Sequence, residues 1–123
     1  MTTFYLREIA HARSGDKGDT NNIGVIAYEP DFYPIIVQQI TPDAVKKHFG
    51  DLVKGPVTRY ELPRVDAINL VLANSLGGGV TRSLSHDPHG KSYSALILSM
   101  PIEVSADLAV RLQAAGRKPI QQP

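Results

Sequence analysis

The sequence predicts an α+β sandwich: a mainly antiparallel sheet with helices on one face. Three observations predict it. Strand-like segments come in pairs, within residues 3–28 and 57–73. Helical spacing of apolar residues separates those pairs and recurs after the second. The chain has 123 residues, 42% of them apolar, which is the size of one domain with its own core.

Residues 3–10 read as the first strand, with Phe4 and Leu6 on one face and Glu8 breaking the alternation. A polar loop is expected over 11–20, and a second strand over 21–28, where Gly24 marks a bulge or a close approach. After Glu29-Pro30-Asp31, residues 32–40 suit a helix if Pro34 lies in its first turn. Thr41 is a good N-cap and Pro42 a good first residue for the next helix, whose apolar stripe is Ala44, Val45, His48, Phe49 and Leu52. His48 on that stripe reads as a packed structural residue. Gly55-Pro56 ends this region. Thr58, Tyr60 and Leu62 share one face of a strand over 57–62, with Arg59 and Glu61 opposite. Ile68, Leu70 and Leu72 alternate with Ala67, Asn69, Val71 and Ala73 in a strand expected to be central, where Asn69 reads as a satisfied buried amide. Gly77-Gly78-Gly79 breaks the chain, and Asp87-Pro88 starts a helix with Tyr93, Leu96, Ile97 and Met100 on one stripe. Pro101 stops it, Ile102–Val104 adds a short strand, and Ser105 caps a last helix ending at Gly116. The simplest member of the class with this order is a ferredoxin-like split βαβ arrangement. Residues 1–104 form its body, and 105–123 add a helix and a loose tail to the same domain.

Charge excludes several roles. The net charge is +1, with seven basic and seven acidic residues in 1–60 and six and five in the remainder. No basic footprint for nucleic acid or an anionic membrane results. Without cysteine there is no disulfide, thiolate nucleophile or Cys-zinc site. Met1-Thr-Thr-Phe-Tyr-Leu-Arg-Glu has no basic n-region or long apolar core, and no apolar stretch nears the roughly 18 residues of a membrane span. A cytoplasmic location is therefore expected.

The densest chemistry lies in His11-Ala-Arg-Ser-Gly-Asp-Lys-Gly-Asp-Thr-Asn-Asn22. As a loop it exceeds the common connection of about four to six residues, and long ordered loops are often functional. Gly15 and Gly18 permit close backbone approach, and Arg13 and Lys17 supply charge for a phosphate or carboxylate, with Ser14 and Asn22 beside them. In the structural alternative, Asp16, Asp19, Asn21 and Asn22 cap turns and Arg13 pairs with an aspartate. Gly77-Gly-Gly-Val-Thr-Arg-Ser83 offers a second anion cradle through Gly78, Gly79, Thr81 and Arg82, and Lys91 follows in the first turn of a helix. The two loops 11–22 and 77–91 are expected to form one composite pocket. His86, Asp87 and His89 match no strong metal signature, so neither a metal nor a cofactor is expected. No Walker A spacing and no Gly-x-Ser-x-Gly elbow is present.

The motifs His11-Ala-Arg-Ser-Gly-Asp-Lys-Gly-Asp, Asn22-Ile-Gly-Val, Asn69-Leu-Val-Leu, Leu76-Gly-Gly-Gly-Val-Thr-Arg-Ser-Leu and Asp87-Pro-His-Gly-Lys91 together resemble the small C-terminal domain of the acyclic terpene utilisation (AtuA-like) proteins. The resemblance spans roughly residues 3 to 104 and implies a ferredoxin-like fold in stand-alone form. It also implies a setting in terpenoid or acyl-CoA catabolism and a separately encoded large AtuA-like partner. On this basis the leading expectation is an accessory subunit that binds a small anionic ligand, such as an acyl-CoA. One alternative is an independent hydratase or lyase with His11, Asp16 or Asp19 as general base. Another is a structural oligomerisation module, since a small sheet leaves open edges for homo-oligomers.

Overall fold

The computed structural model describes residues 1–73 and 91–121, with residues 16, 17, 91 and 92 described by their backbone alone. Its strands are β1 (Thr2–Tyr5), β2 (Ala10–Lys17), β3 (Thr20–Ala27), β4 (Val57–Leu62), β5 (Ala67–Leu72) and β6 (Pro101–Val104). Its helices are α1 (Tyr33–Gln39), α2 (Pro42–Phe49), α3 (Lys91–Leu98) and α4 (Ala106–Ala114). All strand pairings are antiparallel. Four strands form a sheet in the order β2-β3-β5-β4, and β1 and β6 form a separate ribbon.

The crossover has the split βαβ form. Both β3 and β4 run antiparallel to β5, so they run parallel to each other with β5 inserted between them. Helices α1 and α2 make the connection between them. The edge position beside β3 is taken by β2, its hairpin partner.

The expected strand over 3–10 is in fact two strands. A 3-10 turn at Leu6–Glu8 separates β1 from β2. Leu6 donates its N–H to the Met100 carbonyl at 2.8 Å, and Ile9 donates back to Leu6 O at 3.0 Å. This turn carries the chain from the ribbon into the larger sheet, which explains why Glu8 breaks the alternation.

The local signals for α2 and α4 act as read. Thr41 Oγ1 accepts from Ala44 N at 3.2 Å, and Ser105 Oγ accepts from Leu108 N at 3.2 Å. Pro34 sits in the first turn of α1. Ile23, Val25, Ile68, Leu70 and Leu72 of the sheet join Ile36, Val45, Phe49, Tyr93 and Ile97 of the helices in one buried cluster. The ring of Phe49 stacks on Tyr93 at 5.7 Å. Helices thus cover one face of the sheet. Residues 105–121 pack beside the ribbon: Ile120 N–H bonds Thr3 O at 2.8 Å, and Arg111 reaches Glu29 at 2.9 Å and Asp31 at 3.0 Å.

Candidate functional site

Residues 11–22 are not a loop. They are most of β2, a two-residue turn and the start of β3, with Lys17 paired to Thr20. Gly18 occupies the first turn position with φ +63°, and Asp19 does not share a positive φ. That is the pattern of a type II′ hairpin turn, which matches the twist of the flanking strands. The segment hides its strand character because its helix-side residues, Ala12 and Ser14, are small, and its solvent-side residues are His11, Arg13 and Gly15.

Strand alternation sorts the candidates between faces. His11, Arg13 and Gly15 pair with Ile26, Gly24 and Asn22 on the open face. Asp16 holds the opposite register, paired with Asn21, and Asp19 lies in the turn. The three proposed general bases, His11, Asp16 and Asp19, therefore do not share one face of the strand. His11 instead stacks on Tyr28 at 5.4 Å, and the same phenol ring lies 5.4 Å from the Arg117 guanidinium.

Across the sheet the register aligns a row: Arg13 opposite Gly24, Gly24 opposite Asn69, Asn69 opposite Tyr60. Neighbouring rows are Gly15-Asn22-Val71-Thr58 and His11-Ile26-Ala67-Leu62. No strand position on this face holds a carboxylate. Arg13 is exposed and forms no ion pair among the described residues, so of the two aspartates the structural alternative offers it, Asp16 or Asp19, Asp19 is not its partner, and the Asp16 side chain is not described. Gly15 and Gly24 leave open space where a side chain would project. Asn69 is half-buried rather than buried, and its amide has no partner among the described residues. Tyr60 is 55% exposed. The sequence did not single out Gly24, Asn69 and Tyr60 as a set, because only cross-strand register joins them.

Asn21 is the one buried polar residue among the described positions, at 0% exposure, and both of its amide atoms lack partners. It pairs with Leu72 near the end of β5, so the chain leaves the sheet at Ala73 on the side of the Gly18-Asp19 turn. The expected second half of the site, Gly78, Gly79, Thr81 and Arg82, lies outside the described residues, as do His86, Asp87 and His89. Lys91 opens α3, and its side chain is not described.

His48 ties α2 to α3. Its Nε2 lies 2.9 Å from Leu96 O and 3.0 Å from Ser99 Oγ. The Ser99 hydroxyl donates to that same carbonyl at 2.6 Å, so Nε2 must carry the proton and donate. A histidine in that role cannot take a proton from Ser99 through Nε2, so the pair is structural. Besides a hollow of about 470 Å³ lined by Tyr5, Arg7, Gly116 and Lys118, two surface hollows are lined by residues outside 11–22. One, of about 130 Å³, is lined by Glu8, Tyr28, Phe32, Arg111 and Arg117. The other, of about 620 Å³, is lined by Gln39, Lys47, His48 and Met100.

The layout, an antiparallel sheet with a split βαβ crossover, helices on one face and no helix on the other among the described residues, defines an α+β domain of the ferredoxin-like kind. Residues 4–103 match the family described as the AtuA ferredoxin-like domain, and the chain belongs to that family. No curated protein and no solved structure matches it. Among the described residues, no helix is long and apolar enough to cross a membrane.

Proposed function

We propose that the chain is an accessory recognition domain that holds an anionic ligand on the open face of its four-stranded sheet. In this reading it works with a separately encoded large AtuA-like protein on acyl-CoA or terpenoid substrates. One observation carries the proposal: Arg13 is exposed, forms no ion pair among the described residues, and lies on a face with no carboxylate at any described strand position. A guanidinium so placed is available for bidentate contact with a phosphate or carboxylate. Gly15 and Gly24 flank it and let a ligand approach the backbone. In this reading the 11–22 half of the expected composite site is a sheet surface rather than a loop, with His11 and Lys17 on the same strand.

Titration calorimetry of a short-chain acyl-CoA into the wild-type protein and Arg13→Ala tests this. Saturable binding that weakens about tenfold or more in the variant is expected, the scale of a lost charge-assisted contact. Equal affinity in the two proteins, or no binding to either, overturns it.

A further inference from the structure

We infer that the row Arg13-Gly24-Asn69-Tyr60 is a binding lane for a nucleoside diphosphate lying across the strands. The inference deepens the anion reading above and rests on it. The register makes the row continuous, from a cation on one edge strand to a phenol on the other. Three strand spacings separate its ends, about 14 Å. A nucleoside diphosphate is an extended molecule of that order, with charge at one end and a flat, hydrogen-bonding base at the other.

Each position suits one part of such a ligand. Arg13 has no intramolecular ion pair among the described residues and takes the phosphates. Gly24 is bare, with nothing within 4 Å of where a Cβ would stand, so a sugar can lie against the backbone. The Asn69 amide, without a partner among the described residues, offers both a donor and an acceptor to a base edge. Tyr60, half exposed, presents a ring for stacking. A simple fatty carboxylate would use the arginine but leave the amide unmatched. A second copy of the chain on this face would set His11 and Arg13 against a surface equally lacking carboxylates. The same chemistry could come from free ADP or from the nucleotide end of coenzyme A.

The test is calorimetry of ADP, coenzyme A and inorganic pyrophosphate against wild type, Arg13→Ala, Tyr60→Ala, Tyr60→Phe and Gly24→Val. Circular dichroism verifies that each variant folds; valine suits a strand and meets open space at position 24. ADP and coenzyme A are expected to bind wild type and Tyr60→Phe alike. Tyr60→Ala should weaken both about tenfold, the scale of a base–aromatic stack, and Gly24→Val should do so by blocking the lane. Equal affinities for the two ligands assign recognition to the ADP unit, and much tighter coenzyme A binding identifies coenzyme A as its source. Both support the lane. If nucleotides and pyrophosphate bind equally, and Tyr60→Ala and Gly24→Val change nothing while Arg13→Ala weakens both, the lane is wrong and the anion reading stands. If no anion binds, both fail.

Discussion

Replacing Arg59 tests how the crossover is held against the sheet. Its guanidinium donates to Val37 O at 2.6 Å and Ile40 O at 3.1 Å, at the C-terminal end of α1, and reaches Glu61 at 3.2 Å. These contacts are unequal. The Glu61 side chain is 51% exposed, and a pair in that setting contributes about 0–1 kcal/mol. The Arg59 side chain is only 15% exposed, and its guanidinium's bonds to the carbonyls are charge-assisted, about 1.5–3 kcal/mol each. It also meets the negative end of the helix dipole. The two carbonyl bonds share one group and do not add in full. Arg59→Ala should therefore cost about 2–4 kcal/mol, against less than about 1 kcal/mol for Glu61→Gln. Arg59→Lys should fall between, because an ammonium keeps the charge without the fork. Urea unfolding at fixed pH measures all three. High salt should leave the Arg59→Ala deficit largely intact, since screening acts mainly on exposed charge. If Glu61→Gln costs as much as Arg59→Ala, or Arg59→Ala lies within about 0.5 kcal/mol of wild type, the carbonyl anchoring is refuted.

A methyl at Gly55 would sit 2.8 Å from Ala73 O and 3.0 Å from Ala73 C and Cβ. Both sides are tied by the Gly55 N to Ala73 O bond of 3.1 Å, so Gly55→Ala should lose about 1–3 kcal/mol in denaturant unfolding, while Gly24→Ala, in open space, should lose under about 1 kcal/mol. Asn21→Leu replaces a buried amide without a partner among the described residues by apolar atoms of like branching; thermal unfolding should show equal or higher stability, and a loss above about 1 kcal/mol would show that the amide is satisfied. Burial raises the Tyr93 phenol above its ordinary value of 10.0, so the folded state keeps that proton more tightly. Its stabilising contribution is complete below pH 10 and is lost as pH rises through the folded value; urea titrations across that range should fall more steeply for wild type than for Tyr93→Phe.

How much was legible in the sequence varies by element. Thr41, Pro42 and the stripe through Val45 and Phe49 declared α2 because the cap and the period agree. β5 was legible because Ile68, Leu70 and Leu72 meet the helices. β3 was legible as the strand expected over 21–28, but its hairpin partner β2 was not. An edge strand with an open outer face needs apolar residues on one side only, and here that side carries Ala12 and Ser14. The site followed the same division. His11 and Arg13 stood out by composition, but Gly24, Asn69 and Tyr60 join them only through pairings between strands far apart in sequence. The open face also collects exposed Tyr60 and Leu62, with Tyr28 stacked on His11 at its end, a surface rich in the residue types that interfaces favour.

The ribbon of β1 and β6 has a consequence for assembly. Thr2 pairs with Val104 and Tyr5 with Pro101, so almost the whole domain lies in the span between paired residues. Closing so long a span is slow relative to forming the local β2–β3 and β4–β5 hairpins. During synthesis β1 leaves the ribosome well before β6, its pairing partner, is made. Phe4 and Leu6, buried completely in the finished domain, remain uncovered over that interval. The order of completion is thus written into the pairing: the four-stranded sheet can assemble early, and the N-terminal strand docks when β6 arrives.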